Sequence, residues 1–118
     1  MTLVSSFSSG LKAAAALALC ALLPVQAVQA EEPSRIVSIG GAVTEIVYAL
    51  GQEDRLVARD TTSNFPANAA ELPNVGYARN LSPEGVLSVD PDLILAIEGA
   101  GPPETLEVLK QAQVDRNG

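Results

Sequence analysis

Arg35-Ile36-Val37-Ser38-Ile39-Gly40-Gly41-Ala42-Val43-Thr44-Glu45-Ile46-Val47-Tyr48-Ala49-Leu50-Gly51 is the stretch that decides the fold. Residues 35–40 read as a buried strand. Val43, Ile46, Val47 and Leu50 then recur at the spacing of one helical face, and Gly51 ends the helix. Outward from it, Leu56-Val57-Ala58-Arg59 is a short second strand, and residues 60–76 turn to Thr, Ser, Asn, Pro and Ala. That composition describes a long loop of the kind that carries function, punctuated by Pro66 and Pro73.

The next helix start is written in unusually full chemistry. Ser82 reads as an N-cap, Pro83 as the first helical residue and Glu84 as an acid at the positive end of the dipole, with Leu81 and Val86 placed to close a hydrophobic staple. The predicted helix spans 82–89. Asp90-Pro91-Asp92 forms a turn, and Leu93-Ile94-Leu95-Ala96-Ile97 is a continuous apolar run that suits a parallel strand covered on both faces. After the turn at residues 98–103, Leu106, Val108 and Leu109 mark a helix over 105–112. Strand and helix alternate throughout, so the fold class is α/β: a parallel, Rossmann-like sheet with flanking helices and right-handed crossovers.

The first thirty residues stand apart. Lys12 precedes an apolar run from Ala13 to Leu23, and Val28-Gln29-Ala30 offers small residues ahead of Glu31, the pattern of a cleaved secretory signal peptide. The run is too short to span a bilayer comfortably, and no later segment approaches that length, so the mature chain is expected to be exported without a membrane span of its own. Cys20 lies inside the apolar run behind Leu19, where a lipoprotein signal would need a small residue, and it leaves with the signal peptide. With no cysteine left, the exported domain depends on its core. Lys12 leaves too, so six basic residues face fourteen acidic ones and the formal charge moves from -7 to -8. This balance argues against nucleic acid and anionic lipid, and it names no partner.

In parallel α/β sheets ligands gather at the carboxyl ends of the strands. That edge here collects Gly40-Gly41-Ala42, Asp60-Thr61-Thr62-Ser63, Tyr77-Ala78-Arg79 and Glu98-Gly99-Ala100-Gly101. Tyr77 sits on a turn anchored by the capped helix, with a guanidinium two residues on, an arrangement that suits a ligand group. Spacing alone equally describes a loop tyrosine packing its ring on the sheet edge, and Arg79 alone a solvated charge.

Residues 35–113 resemble the amino-terminal lobe of the periplasmic haemin-binding proteins that serve ABC importers, a class shared with ferric siderophore and cobalamin carriers. The specific pieces are Ser38-Ile39-Gly40-Gly41-Ala42-Val43-Thr44-Glu45-Ile46-Val47-Tyr48-Ala49-Leu50-Gly51, Asp60-Thr61-Thr62-Ser63 and the run from Val75 to Ser88. The resemblance implies one lobe of a two-lobe binding protein, with residues 1–30 as signal peptide and 31–118 as the amino-terminal lobe, ending before the interlobe helix and second lobe. It implies ferric haem as transported ligand and Tyr77 as axial ligand to the iron. Arg79 lies beside it, and Gly40, Gly41, Thr61 and Thr62 complete the ligand edge. Glu84 is implied to dock on the inner-membrane permease, which receives haem from a monomeric carrier. The resemblance departs after Gln113, where the family continues into another strand and this chain gives Val114-Asp115-Arg116-Asn117-Gly118. A crossover helix with no strand to return to reads as an incomplete protein, a fragment or frameshifted product, with about half of the ligand site outside it.

Composition narrows the ligand choice that the resemblance implies. Haem iron is held by His, Cys, Met or Tyr. Beyond residue 30 the chain has none of the first three, which leaves Tyr48 and Tyr77. Tyr48 lies in the first helix, roughly 10 Å of rise below the ligand edge. Glu84 also has a plain reading as a first-turn acid favoured by the helix dipole.

Other chemistries find less. Gly40-Gly41-Ala42 with Asp60 beyond is an imperfect dinucleotide fingerprint that fails at Ala42 and Glu45, where that pattern needs glycine. Without His or Cys there is no ordinary base or nucleophile, and the carboxylates are not paired, so no enzyme is expected. A zinc or manganese carrier would want histidines at this edge. A siderophore or cobalamin carrier, with Tyr77 as pocket wall, and an exported fragment without a ligand remain as alternatives.

Overall fold

The computed structural model describes residues 32–117; the signal-peptide reading of residues 1–30, Cys20 included, lies outside the described residues. Three parallel strands form one sheet: β1 (Ile36–Ile39), β2 (Leu56–Arg59) and β3 (Leu93–Ala96), in the order β2-β1-β3. Helix α1 (Gly41–Ala49) follows β1, α2 (Pro83–Leu87) precedes β3, and α3 (Pro103–Asn117) follows it. A 3-10 turn at Glu53–Arg55 leads into β2.

β1 is central, and all four of its residues are buried. Strand geometry sends successive side chains to opposite faces. Val37 and Ile39 join Val86 of α2 and Leu109 of α3 in the larger core cluster, while Ile36 packs with Val47 of α1 and Leu56 of β2 in a second. Helices therefore cover both faces, as strand–helix alternation predicts. Val86 is fully buried, and such burial is worth about 1.5–3 kcal/mol.

The structure corrects several boundaries and faces. On α1 the buried residues are Thr44 and Val47, while Ile46 and Leu50, expected in the core, are 57% and 68% exposed. The cause is polar. Thr44 Oγ1 lies 2.6 Å from both Ser38 Oγ of β1 and Ser63 Oγ, and these bonds turn that side of the helix inward. β3 sends Ile94 to one core and Leu93 and Leu95 to the other, so both faces pack; as an edge strand with one neighbour it is only half-buried, and Ala96 is exposed.

Helix α2 stops at Leu87, short of residue 89, because Asp90 takes a φ of 51° and its N–H closes onto the Leu87 carbonyl at 3.0 Å. α3 is longer than expected and continues past residue 113 to Asn117. On it Leu109 is buried, whereas Val108 is 48% exposed.

The stretch at 60–76 is more ordered than its composition suggests. It carries a 3-10 turn at Ala67–Glu71, and residue 74 bridges in parallel to Arg59. Arg59 organises it: the guanidinium donates to the carbonyls of Ala70 at 2.7 Å, Leu72 at 3.2 Å and Asp60 at 3.3 Å. Three loop carbonyls thus share one cation, which fixes the path of the chain toward Tyr77.

Candidate functional site

The carboxyl ends of the three strands converge on a recess of about 200 Å³ lined by Gly40, Gly41, Thr62, Tyr77, Ala78, Arg79, Ile97, Glu98 and Gly99. Ligand pockets run to about 300–1,000 Å³, so this recess fits one face of a ligand of that size. Five of the expected site residues therefore meet: Gly40, Gly41, Thr62, Tyr77 and Arg79. Thr61 does not line the recess; its hydroxyl donates to Asn74 Oδ1 at 3.2 Å. Glu84 is exposed in the first turn of α2, away from the recess walls.

The position of Tyr77 is built from both sides. Gly76, with a φ of 118°, takes a backbone shape that favours glycine; its N–H donates to Asn74 Oδ1 at 2.9 Å. Beyond Tyr77 the turn closes with Asn80 N–H on the Tyr77 carbonyl at 2.9 Å. Ala78 is buried beneath, and its carbonyl accepts from Gly101 N–H at 2.9 Å. Ser82 Oγ then accepts from Gly85 N–H at 3.0 Å, the expected cap, and Leu81 and Val86 join the same core cluster. On this anchored turn the Tyr77 side chain is 47% exposed. Among the described residues neither its hydroxyl nor the Arg79 guanidinium has a hydrogen-bond or salt-bridge partner, and both residues line the recess.

Tyr48, the other tyrosine, is half-buried against the smaller core cluster. Burial pushes its phenol above the ordinary value, and the nearby Glu53 and Glu71 carboxylates add to the shift. All three effects disfavour the phenolate. Of the two tyrosines, Tyr77 is the one that lines the recess at the strand ends.

Behind the recess stands a device that the sequence reading missed. Asp60 is fully buried, and its two carboxylate oxygens accept four hydrogen bonds. Oδ1 takes Gly40 N–H at 2.8 Å and Ser63 Oγ–H at 2.6 Å, and Oδ2 takes Thr62 N–H at 3.1 Å and Thr62 Oγ–H at 2.7 Å. Thr62 Oγ1 in turn accepts from Gly41 N–H at 3.0 Å. Burial pushes the Asp60 carboxyl up, but the hydrogen bonds from Ser63, Thr62 and the two backbone N–H groups outweigh it and hold it below its ordinary value. The signal for this network was a polar Ser38 inside an apolar strand followed by Thr44 one turn into the helix.

The glycines are explained by protein neighbours. A Cβ on Gly40, whose φ is 108°, would stand 2.7 Å from Ile97 Cβ, and one on Gly41 would stand 3.0 Å from the Thr62 carbonyl oxygen. Ile97 itself, read from sequence as a strand residue, lines the recess beside Tyr77. A groove of about 280 Å³ between β3 and α3 is larger and shares Ile97, Glu98 and Gly99 with the recess; Ile94, Leu106 and Leu109 also line it, and it offers no His, Cys, Met or Tyr. No group of three or more His, Cys, Asp or Glu suited to a metal ion occurs among the described residues.

Comparison with known proteins agrees with this geometry. The family model for periplasmic binding proteins matches residues 36–115. The chain is 38% identical over 96 residues to the vitamin B12-binding protein of Yersinia pestis (strain Pestoides F), covering 81% of this chain and 33% of that protein. Among solved structures, the periplasmic haem-binding protein RhuT from Roseiflexus sp. RS-1, in apo form, superposes with a TM-score of 0.67 at 45% identity, over 70% of this chain and 32% of that one. A periplasmic haem-binding protein from Pseudomonas aeruginosa gives 0.67 at 48% identity, over 69% and 29%. The chain spans about a third of the length of the curated relatives it matches. Its parallel sheet with helices on both faces is part of a two-lobe architecture, and the chain belongs to the periplasmic binding protein family.

Proposed function

We propose that the chain binds ferric haem through Tyr77, as the amino-terminal lobe of a periplasmic carrier that hands haem to an inner-membrane ABC permease. The observation that carries this reading is the recess itself: an exposed phenol with no competing partner, in a segment whose residues 32–117 hold no His, Cys or Met. A phenolate is a hard anion suited to ferric iron. Arg79 lines the same recess. The two haem-binding structures at 45% and 48% identity support a haem reading, while a vitamin B12-binding structure stands at 39% and another haem-binding one at 28%, so the ligand is decided by titration.

The action is equilibrium capture. Tyr77 coordinates, the recess covers one face of the macrocycle, and Asp60 holds Gly40, Gly41 and Thr62 in place behind it. Glu84, exposed on α2 and free of the recess, is the candidate contact to a cationic group of the permease, where a charge pair would set register.

Parallel titrations of the 118-residue chain with haemin and with cyanocobalamin test the reading. Saturable spectral change with haemin and none with cyanocobalamin is expected. The opposite pattern would assign the recess to a corrin and make Tyr77 a wall; no response to either would leave an exported fragment without a ligand.

A further inference from the structure

We propose that Ile97 is a ligand-contact residue that suits this recess to a flat, apolar ligand face; the proposal rests on the haem reading above. The sequence explains Ile97 as the last residue of an apolar strand run, but β3 ends at Ala96 and Ile97 stands beyond it, on the strand-end edge. Its backbone is held on both sides, by its own N–H on the Ile39 carbonyl at 2.9 Å and by Ala100 N–H on its carbonyl at 3.1 Å. Its side chain is β-branched and therefore stiff.

Gly40 gives that side chain its place. The position a Cβ would take there lies 2.7 Å from Ile97 Cβ and 2.8 Å from Ile97 Cγ2, so Gly40 is bare because Ile97 lies across it. A ligand entering the recess meets the aliphatic group instead of glycine backbone. Ile97 is 39% exposed, beside a Tyr77 that is 47% exposed. Both line the recess, whose other side chains include Thr62, Arg79 and Glu98.

An exposed aliphatic group fixed against its own backbone gains nothing in water, and it gains dispersion and desolvation when a flat ring covers it. A hydrophilic chelate would leave that surface wet. Ile97 thus favours a macrocycle with an apolar face, and it acts by contact, leaving iron coordination to Tyr77.

The test is haemin titration of the full chain and three variants, with folding checked by circular dichroism. Ile97→Asn should keep the tyrosinate-to-iron band and weaken binding about tenfold, the loss expected when part of a large aliphatic contact is removed. Ile97→Val, which keeps the apolar face, should bind within about twofold of wild type. Val108→Asn, which makes the same chemical change at an aliphatic residue 48% exposed on α3 and outside the recess, should leave affinity unchanged. Should Ile97→Asn fold poorly, Ile97→Thr carries the same expected direction. Equal affinity for wild type and the polar Ile97 variants, or equal weakening by Val108→Asn, overturns the proposal while leaving haem binding intact. Absence of any wild-type response to haemin overturns the haem reading and this proposal with it.

Discussion

Asp60→Asn probes the part of the site that stability measurements read most sharply. The carboxylate is fully buried and accepts four hydrogen bonds, two on each oxygen. An asparagine has one oxygen, so whichever way the amide is turned, an NH2 group faces two donors. The hydroxyls of Ser63 and Thr62 can rotate to accept, although Thr62 Oγ1 already accepts from Gly41 N–H. One backbone N–H, of Gly40 or Thr62, is left against a donor.

An unsatisfied buried donor costs about 1–3 kcal/mol, and bonds to a charged acceptor exceed neutral ones by about 1 kcal/mol. Relief from burying a charge returns part of this, and the expected net loss is about 3 kcal/mol. For a domain of this size, about 4–8 °C per kcal/mol translates that into a fall in Tm of about 12–24 °C. Urea denaturation followed by far-ultraviolet circular dichroism measures it. Because hydrogen bonding holds the folded carboxyl below its ordinary value, its stabilisation is present above the unfolded pKa near 4 and is lost as pH falls through the folded value. The wild-type chain should lose stability on that acid limb, and the Asn variant should lack the share that Asp60 contributes. A loss below about 0.5 kcal/mol at neutral pH, or an unchanged acid limb, would refute the reasoning.

Two further substitutions test the scaffold. Gly40→Ala combines a φ of 108° with a Cβ 2.7 Å from Ile97 Cβ and should cost about 3 kcal/mol in urea unfolding, whereas a neutral result would mean the turn relaxes freely. Ser82→Ala removes the acceptor for Gly85 N–H on the five-residue helix α2 and should cost about 1 kcal/mol without moving the haemin spectrum of the folded chain.

The fold was legible because its signals were local and agreed with one another. The strand at 36–39, the second at 56–59, the Ser82-Pro83 helix start and the apolar run of β3 each carried a period or cap that the structure repeats. What was not legible depended on contacts between distant segments. Ile46 and Leu50 had the right spacing for a core face, but Thr44 won the inward side through hydroxyl bonds to Ser38 and Ser63, residues that no period links. Arg59 looked like a strand end and proved to hold three loop carbonyls.

The site divides the same way. The strand-end rule gathers Gly40, Gly41, Thr62, Tyr77 and Arg79 at one recess from topology alone. Thr61 stands apart from the recess lining, its hydroxyl turned to Asn74, because adjacent loop residues point in different directions. It also gave no hint that Ile97 would emerge at the recess, since an apolar residue at the end of an apolar run carries no polar signal.

The central claim is that Tyr77 is the iron ligand, and absorption spectroscopy of Tyr77→Phe during haemin titration tests it most directly. The account predicts a tyrosinate-to-iron charge-transfer band in the wild-type chain that is absent in the variant, with weaker retention of haem and an unchanged circular dichroism spectrum. A variant that keeps both the band and the wild-type affinity would contradict it.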